Sequence, residues 1–140
     1  MKLPEPVSTK KLKAKLRPIF NLFIRLRDLR KGCISCGRRY SQVCGAWQAG
    51  HYFTSASSHA SFDFDEMNVH GQCGQCNMNE GNRQAYTRNL IRRYGADILD
   101  KLDIKRAASR SAYWGVFEYQ MMIKLYTQKV FDLKKTMGLT

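Results

Sequence analysis

Two short cysteine pairs constrain this chain more than any other feature. Cys33 and Cys36 stand in CISC, Cys73 and Cys76 in CGQC, with 36 residues between the inner cysteines. Two residues between thiolates let a tight knuckle place both sulfurs on one ion, and two knuckles complete a tetrahedral four-cysteine set. The pattern predicts one structural Zn²⁺ site, whose closed coordination leaves it no chemistry of its own. Two disulfides or a redox CxxC are the alternatives. The N-terminus MKLPEPVSTKKLKAKLRP lacks the apolar core of a secretory signal. No apolar run approaches the roughly 20 residues of a membrane span. A cytoplasmic protein without membrane contact is therefore expected, and reduced thiols there favour metal over disulfides. Zinc in such a site contributes on the order of 10 kcal/mol to folding, which matters because residues 33–76 hold few large aliphatic side chains. Cys44 stands apart and reads as a small, partly buried thiol.

The net charge of +13 over 140 residues is unevenly spread. Residues 1–39 carry 12 basic and 2 acidic side chains, and residues 83–140 carry 12 and 5. Residues 40–82 carry no Lys or Arg and 4 acidic side chains. Basic flanks around an acidic, His- and Cys-containing centre suit a protein that holds cations centrally and phosphates on either side. The best phosphate-gripping patches are KKLKAKLR, with Lys10, Lys11, Lys13, Lys15 and Arg17, and NLIRRYG, with Arg92 and Arg93. Such contacts hold a nucleic-acid backbone without reading its sequence.

The expected class is α+β in one modest domain. Ser8 or Thr9 caps a short basic helix over 10–16, and Pro18 opens a second helix running to Lys31. A cysteine knuckle follows at 33–37, then a strand near 47–53, a Ser-rich loop at 54–61 and a strand near 67–72. The second cysteine pair opens a helix reaching about Tyr94, where Gly95 ends it. A short helix is expected over 96–102 and a long amphipathic one over roughly 111–136. Tyr113, Phe117, Met121, Lys124, Leu125, Gln128 and Phe131 give the latter a mostly apolar stripe, suited to the N-terminal helix or to a second copy. The organisation reads as a basic N-terminal segment (1–17), a zinc-framed core (18–95) and a helical C-terminal region (96–140).

A lone histidine is most often a packed residue, and the neighbours of His51 in QAGHYF say little. Its distant context says more. Cys33, Cys36, His51, Asn68, Cys73, Cys76 and Asn77 follow one another in the order and spacing of zinc-framed HNH nucleases, also called the ββα-metal or His-Me finger group, and the chain resembles that group. Cys73, Cys76, Asn77 and Glu80 are similar to the tail of the recombination endonuclease VII motif. FIRLRDLRKGCISCG, AGHY, FDEMNVHGQC and CN...GN resemble the phage NinG (Rap) family of recombination nucleases, over roughly residues 20–95 and more weakly beyond.

The resemblance implies a zinc-framed ββα-metal core flanked by helices, and structure-selective cleavage of branched DNA such as Holliday junctions and D-loops. It assigns His51 as general base, since neutral imidazole accepts a proton from water near pH 7. Asn77 is the expected ligand of a catalytic Mg²⁺ or Mn²⁺, and Asn68 braces the intervening loop. One departure stands out. Where the endonuclease VII pattern has a metal-binding Asp, this chain has Gly50. Glu66, Asp65, Glu80 and Asn79 are candidates to complete the metal shell, with Glu80 and Glu66 ahead of His70, which reads equally as a packed residue. His59 reads as a solvated loop residue. A junction's twofold symmetry suggests a homodimer. The rivals are an HNH nuclease acting on ordinary duplex, a zinc-framed DNA-binding protein without catalysis, and RNA binding.

Overall fold

A computed structural model describes residues 1–43, 45–54 and 59–139. The Cys44 reading, and residues 55–58 of the expected Ser-rich loop, lie outside the described residues. The chain is a helix-rich α+β fold with one two-stranded sheet. Helix α1 spans Thr9–Arg27, strand β1 Trp47–His51, the single turn α2 Ala60–Asp63 and strand β2 Val69–Cys73. Helices α3 (Gly74–Met78), α4 (Arg83–Tyr94), α5 (Ile98–Ser109) and α6 (Val116–Thr136) complete the fold. The strands are antiparallel, pairing Trp47 with Cys73 and His51 with Val69.

Ser8 caps α1 through its hydroxyl, which accepts from the Lys11 backbone N–H. The helix does not restart at Pro18; it runs through it, so the expected boundary between residues 17 and 18 is absent. The reason is exposure. The hydrogen bond that Pro18 cannot donate belongs to the Ala14 carbonyl, and both residues face solvent, where water can replace it. Leu16 and Phe20 on either side of the proline, with Phe23 and Ile24, are buried in one core with Tyr119, Tyr126 and Val130 of α6. Phe20 and Phe23 meet the Tyr126 ring edge-on, with centroids 4.9 and 5.3 Å apart.

Helix α6 thus packs on α1, but not by the expected stripe. Tyr113, Phe117, Met121, Leu125 and Phe131 are all exposed, as are Lys124 and Gln128. The buried face is Tyr119, Tyr126 and Val130, flanked by Met122, Ile123 and Leu133. Both faces are apolar enough to satisfy helical periodicity, and aromatic contacts with α1 select between them.

A second core gathers Ile34, Tyr52, Phe62, Tyr86, Leu90, Ile98 and Leu102 where α4 and α5 meet the loops. The sheet is fastened to α1 by Asp28, which is fully buried at the helix end. Its carboxylate takes a bidentate bond from Arg27 at 2.7 and 2.8 Å and accepts the Gly71 N–H at 2.8 Å. Residue 71 must be glycine for this approach, because a Cβ there would lie 2.3 Å from the Trp47 ring and 2.8 Å from Asp28 Cβ. The helix expected from Cys73 to Tyr94 is broken at 79–82. Glu80, Gly81 and Asn82 all adopt left-handed backbone conformations, with φ of 49°, 77° and 45°, which no α-helix accommodates.

Candidate functional site

Four sulfurs converge exactly where the two knuckles meet: those of Cys33, Cys36, Cys73 and Cys76 all lie within 4.8 Å of one another. Cys36 and Cys73 Sγ are 3.9 Å apart, close to the roughly 3.8 Å edge of a tetrahedron with Zn–S bonds near 2.3 Å. The donors fit zinc. The Cys73 N–H donates to Cys33 Sγ at 3.3 Å, and Asn82 Nδ2 approaches Cys76 Sγ at 3.6 Å. Burial, reinforced by the neighbouring sulfurs of Cys73 and Cys33, pushes the Cys76 thiol up to about 12. Without a cation the Cys76 thiol thus keeps its proton, and a bound cation reverses that preference by stabilising the thiolate.

The start of β1 pairs with Cys73, the residue before α3, and the later residues of α3 and the turn beyond it share a cleft with the end of β1. His51 ends β1 and shares a cleft with Asn77 and Glu80, together with Tyr52, Arg83 and Tyr86. His51 Nε2 lies 2.8 Å from the Asp63 carbonyl oxygen and 3.0 Å from Asp63 Oδ1. Both atoms are acceptors, so Nε2 carries the proton and donates. Nδ1 is then the ring's lone-pair nitrogen, and it has no hydrogen-bond partner among the described residues. Asp63 is 1% exposed, and its Oδ2 accepts from Arg17 at 2.7 Å.

Asn68, fully buried, ties the loop between the strands. Its Oδ1 accepts from the Phe53 N–H at 2.8 Å, and its Nδ2 donates to the carbonyls of Phe53 and Phe62 at 2.9 and 3.3 Å. It touches the loop rather than the cleft. Asn77 is exposed on α3 and donates through Nδ2 to Gln48 Oε1 at 2.8 Å. Glu80 is exposed in the left-handed turn. Asn77 and Glu80 therefore offer oxygen donors to one cleft, the type a hard divalent cation takes.

Other expected site residues are placed elsewhere. Glu66 faces α6, where Lys129 Nζ and the Tyr126 hydroxyl donate to its carboxylate at 2.5 and 2.8 Å. Arg27 adds a 3.8 Å ion pair. These contacts hold Glu66 on the α6 side, and it does not line the cleft that His51 shares with Asn77 and Glu80. His70 is packed. The Tyr86 hydroxyl donates to the Gly50 carbonyl at 2.8 Å and so accepts from His70 Nδ1 at 2.9 Å. Burial, helped by Arg27, holds the His70 imidazole down at about 3, and the ring is neutral. Asp65 is engaged by Lys105 at 2.9 Å.

Of the expected phosphate contacts, Lys10, Lys11, Lys15 and Arg92 are exposed and Lys13 is half-buried. Two are committed to the fold. Arg17 holds Asp63, and Arg93 donates to the Lys31 and Gly32 carbonyls at 3.0 and 3.3 Å. Asp63 and Arg83 were not singled out from sequence. Arg83 lies over the Tyr52 ring at 4.4 Å and donates to the Tyr52 carbonyl. No spacing pattern announces either, because both act through contacts distant in sequence.

The Gly50 departure has a physical cause. A Cβ at residue 50 would lie 1.9 Å from Gln72 Oε1 and 2.9 Å from Gln72 Cβ. Gln72 is fully buried, and its Nε2 donates to Ser35 Oγ at 2.8 Å and to the Gly81 carbonyl at 2.6 Å. The side chain that fills this space therefore also links the first knuckle to the left-handed turn.

A family model described as "Bacteriophage Lambda NinG protein" matches residues 6–136. Among curated relatives, "Protein ninG" of Escherichia phage 933W is 38% identical over 117 residues, which is 83% of this chain and 55% of that protein. "Protein ninG" of Escherichia phage lambda is 37% identical over 117 residues, 83% of this chain and 54% of the relative. That of Salmonella phage P22 is 38% identical over 115 residues, 81% and 53%. The chain thus spans about half the length of the curated relatives it matches. No solved structure matches.

Proposed function

The chain belongs to the NinG family of phage proteins, and from that premise we propose that it is a metal-dependent endonuclease of the ββα-metal type, cleaving branched DNA such as Holliday junctions and D-loops. The observation that carries this reading is the setting of His51. Its Nε2–H is held by Asp63 while Nδ1 remains an acceptor, in a cleft that also contains Asn77 and Glu80. The order strand, strand, helix with a four-sulfur frame at the junction supports the same reading.

Phosphodiester hydrolysis needs a nucleophile made from water, a charge sink for the phosphate and stabilisation of the leaving oxygen. His51 Nδ1 takes the proton from water, and the imidazolium so formed keeps its Nε2–H bond to Asp63. Asn77 and Glu80 would hold a Mg²⁺ or Mn²⁺ ion, which supplies positive charge to the phosphate and the leaving 3′ oxygen. Asn68 fixes the loop whose Phe62 and Phe53 carbonyls it holds, and so fixes the ground on which Asp63 stands. The exposed lysines of α1 and Arg92 supply sequence-independent phosphate contacts. The products would carry 5′ phosphates and 3′ hydroxyls.

The test is cleavage of a labelled four-way junction and a matched linear duplex with Mg²⁺, Mn²⁺ or EDTA. Wild type should cut the junction faster than the duplex, EDTA should abolish cutting, and His51→Ala should cut at least about 100-fold more slowly. Equal rates on both substrates reject structure selectivity. A wild type that binds the junction without cutting, or a His51→Ala variant that cuts as well as wild type, rejects the catalytic assignment. Gly50 in the place of an acidic ligand, with Gln72 filling the space of its missing side chain, favours one second reading, a zinc-framed DNA-binding protein without catalysis, and the same assay separates it.

A further inference from the structure

In the catalytic reading above, Asp63 is an acceptor for the His51 Nε2–H; the charge of its carboxylate, and the Arg17 that pairs with it, go beyond that use. Asp63 presents two acceptors to Nε2, its backbone carbonyl at 2.8 Å and its Oδ1 at 3.0 Å. The carbonyl alone would set the tautomer. The carboxylate adds a full negative charge next to the ring, in a position 1% exposed to solvent. Its second oxygen is clamped by Arg17 Nη2 at 2.7 Å. Arg17 in turn lies 5.1 Å from the centroid of the Phe64 ring, one residue beyond Asp63. The three side chains come from α1, α2 and β1, 46 and 12 residues apart. Buried carboxylates are not retained without partners, and this one faces a histidine on one oxygen and an arginine on the other.

We propose that the Asp63 carboxylate, held by Arg17, is a positioning residue for His51. It fixes the plane of the ring so that Nδ1 faces the cleft, and it stabilises the imidazolium formed when Nδ1 takes a proton from water. The balance is simple: the proton moves from water to Nδ1, the Nε2–H bond stays intact, and the new positive charge lies against Oδ1. Arg17 prevents the carboxylate from rotating away and moderates its charge. The inference rests on the endonuclease reading for its catalytic meaning but not for its measurement.

The charged and titratable groups facing His51 are Arg17 from α1, Asp63 from α2, and Tyr52, Glu80, Arg83 and Tyr86 around the cleft. On the α6 side stands Tyr119, whose hydroxyl is held up first by burial and then by Asp63, and so stays neutral. Asp63 meets Nε2 directly and Arg17 lies behind it on the other carboxylate oxygen, and the two carry opposite charge. The experiment is an NMR titration of the ring of His51 in the zinc-loaded 140-residue chain without DNA, assigned with His51→Gln. Asp63→Asn should displace the titration midpoint to lower pH, and Arg17→Ala to higher pH, because one change removes a negative neighbour and the other a positive one. Arg17→Lys should restore the wild-type midpoint. In the junction assay Asp63→Asn should slow cleavage about 10- to 100-fold and move the acidic limb of the rate profile to lower pH. Should Asp63→Asn not fold, the Arg17 pair carries the test, since that side chain is 34% exposed. Midpoints that do not move, or that move in the same direction in both variants, overturn the proposal. Opposite displacements in a wild type that cuts no DNA uphold the pairing and reject the endonuclease reading instead.

Discussion

Single residues here are decided by what stands opposite them. Gly50 is the clearest case. Restoring the acidic residue of the endonuclease VII pattern would drive its Cβ to 1.9 Å from Gln72 Oε1. Gln72 cannot swing away without giving up Ser35 and the Gly81 carbonyl. Gly50→Asp is therefore expected to lose about 1–3 kcal/mol of stability through overpacking rather than gain a ligand. Urea denaturation measures this, and the cost of Gly50→Asp should fall markedly in a Gln72→Gly background, where the steric coupling is gone. An additive pair of substitutions would show that Gln72 is not the cause.

At the scale of elements, buried charge fixes how α1 meets the sheet. Burial alone would raise the Asp28 carboxyl, but the Arg27 guanidinium and the Gly71 N–H outweigh it and hold it below its usual 3.8. A depressed carboxyl contributes stability that is present above the unfolded value and lost as pH falls through the lower folded value. Wild type should thus lose stability below about pH 4. Asp28→Asn should cost about 3 kcal/mol at neutral pH, because it removes the buried carboxylate that pairs bidentately with Arg27. It should also lack this component of the acid loss, and thermal melts from pH 7 to pH 3 would compare the two. Equal acid sensitivity would place the loss at other carboxylates. The elements also show where periodicity misleads. Helix α6 has two apolar faces, and Phe20 and Phe23 of α1 choose Tyr126 and its neighbours over the more regular stripe through Phe117 and Leu125.

For the whole molecule, the zinc frame is the connection between halves. It joins the segment after α1 to the start of α3, in a region whose third cluster of buried apolar groups consists of the cysteines themselves with Val43 and Trp47 beside them. Metal analysis should find one zinc per chain. Because zinc contributes on the order of 10 kcal/mol in such sites, a strong chelator should lower Tm steeply and shift the emission of Trp47, whose indole N–H donates to the Arg25 carbonyl at 3.0 Å. Cys73→Ser should behave like the chelated wild type. A metal-free chain with an unchanged Tm would show that the four sulfurs are not the frame.

The sequence by itself determined the frame, the two strands and the candidacy of His51, Asn68 and Asn77. Those features rest on local rules: two-residue spacing closes a knuckle, and an antiparallel strand pair followed directly by a helix keeps His51 and Asn77 near one another. The turn at Glu80–Asn82 was not read from the sequence: Gly81 and Asn82 are its local signals, but the run of helix formers beyond them concealed the break. Only the tertiary structure decided the partners. It put Gln72 in the space a side chain on residue 50 would need, gave Glu66 to Lys129 and Tyr126, and took Arg17 from the basic surface to hold Asp63. The physical reason is that charge neutralisation and close packing are settled between residues tens of positions apart, and neither leaves a period in the sequence.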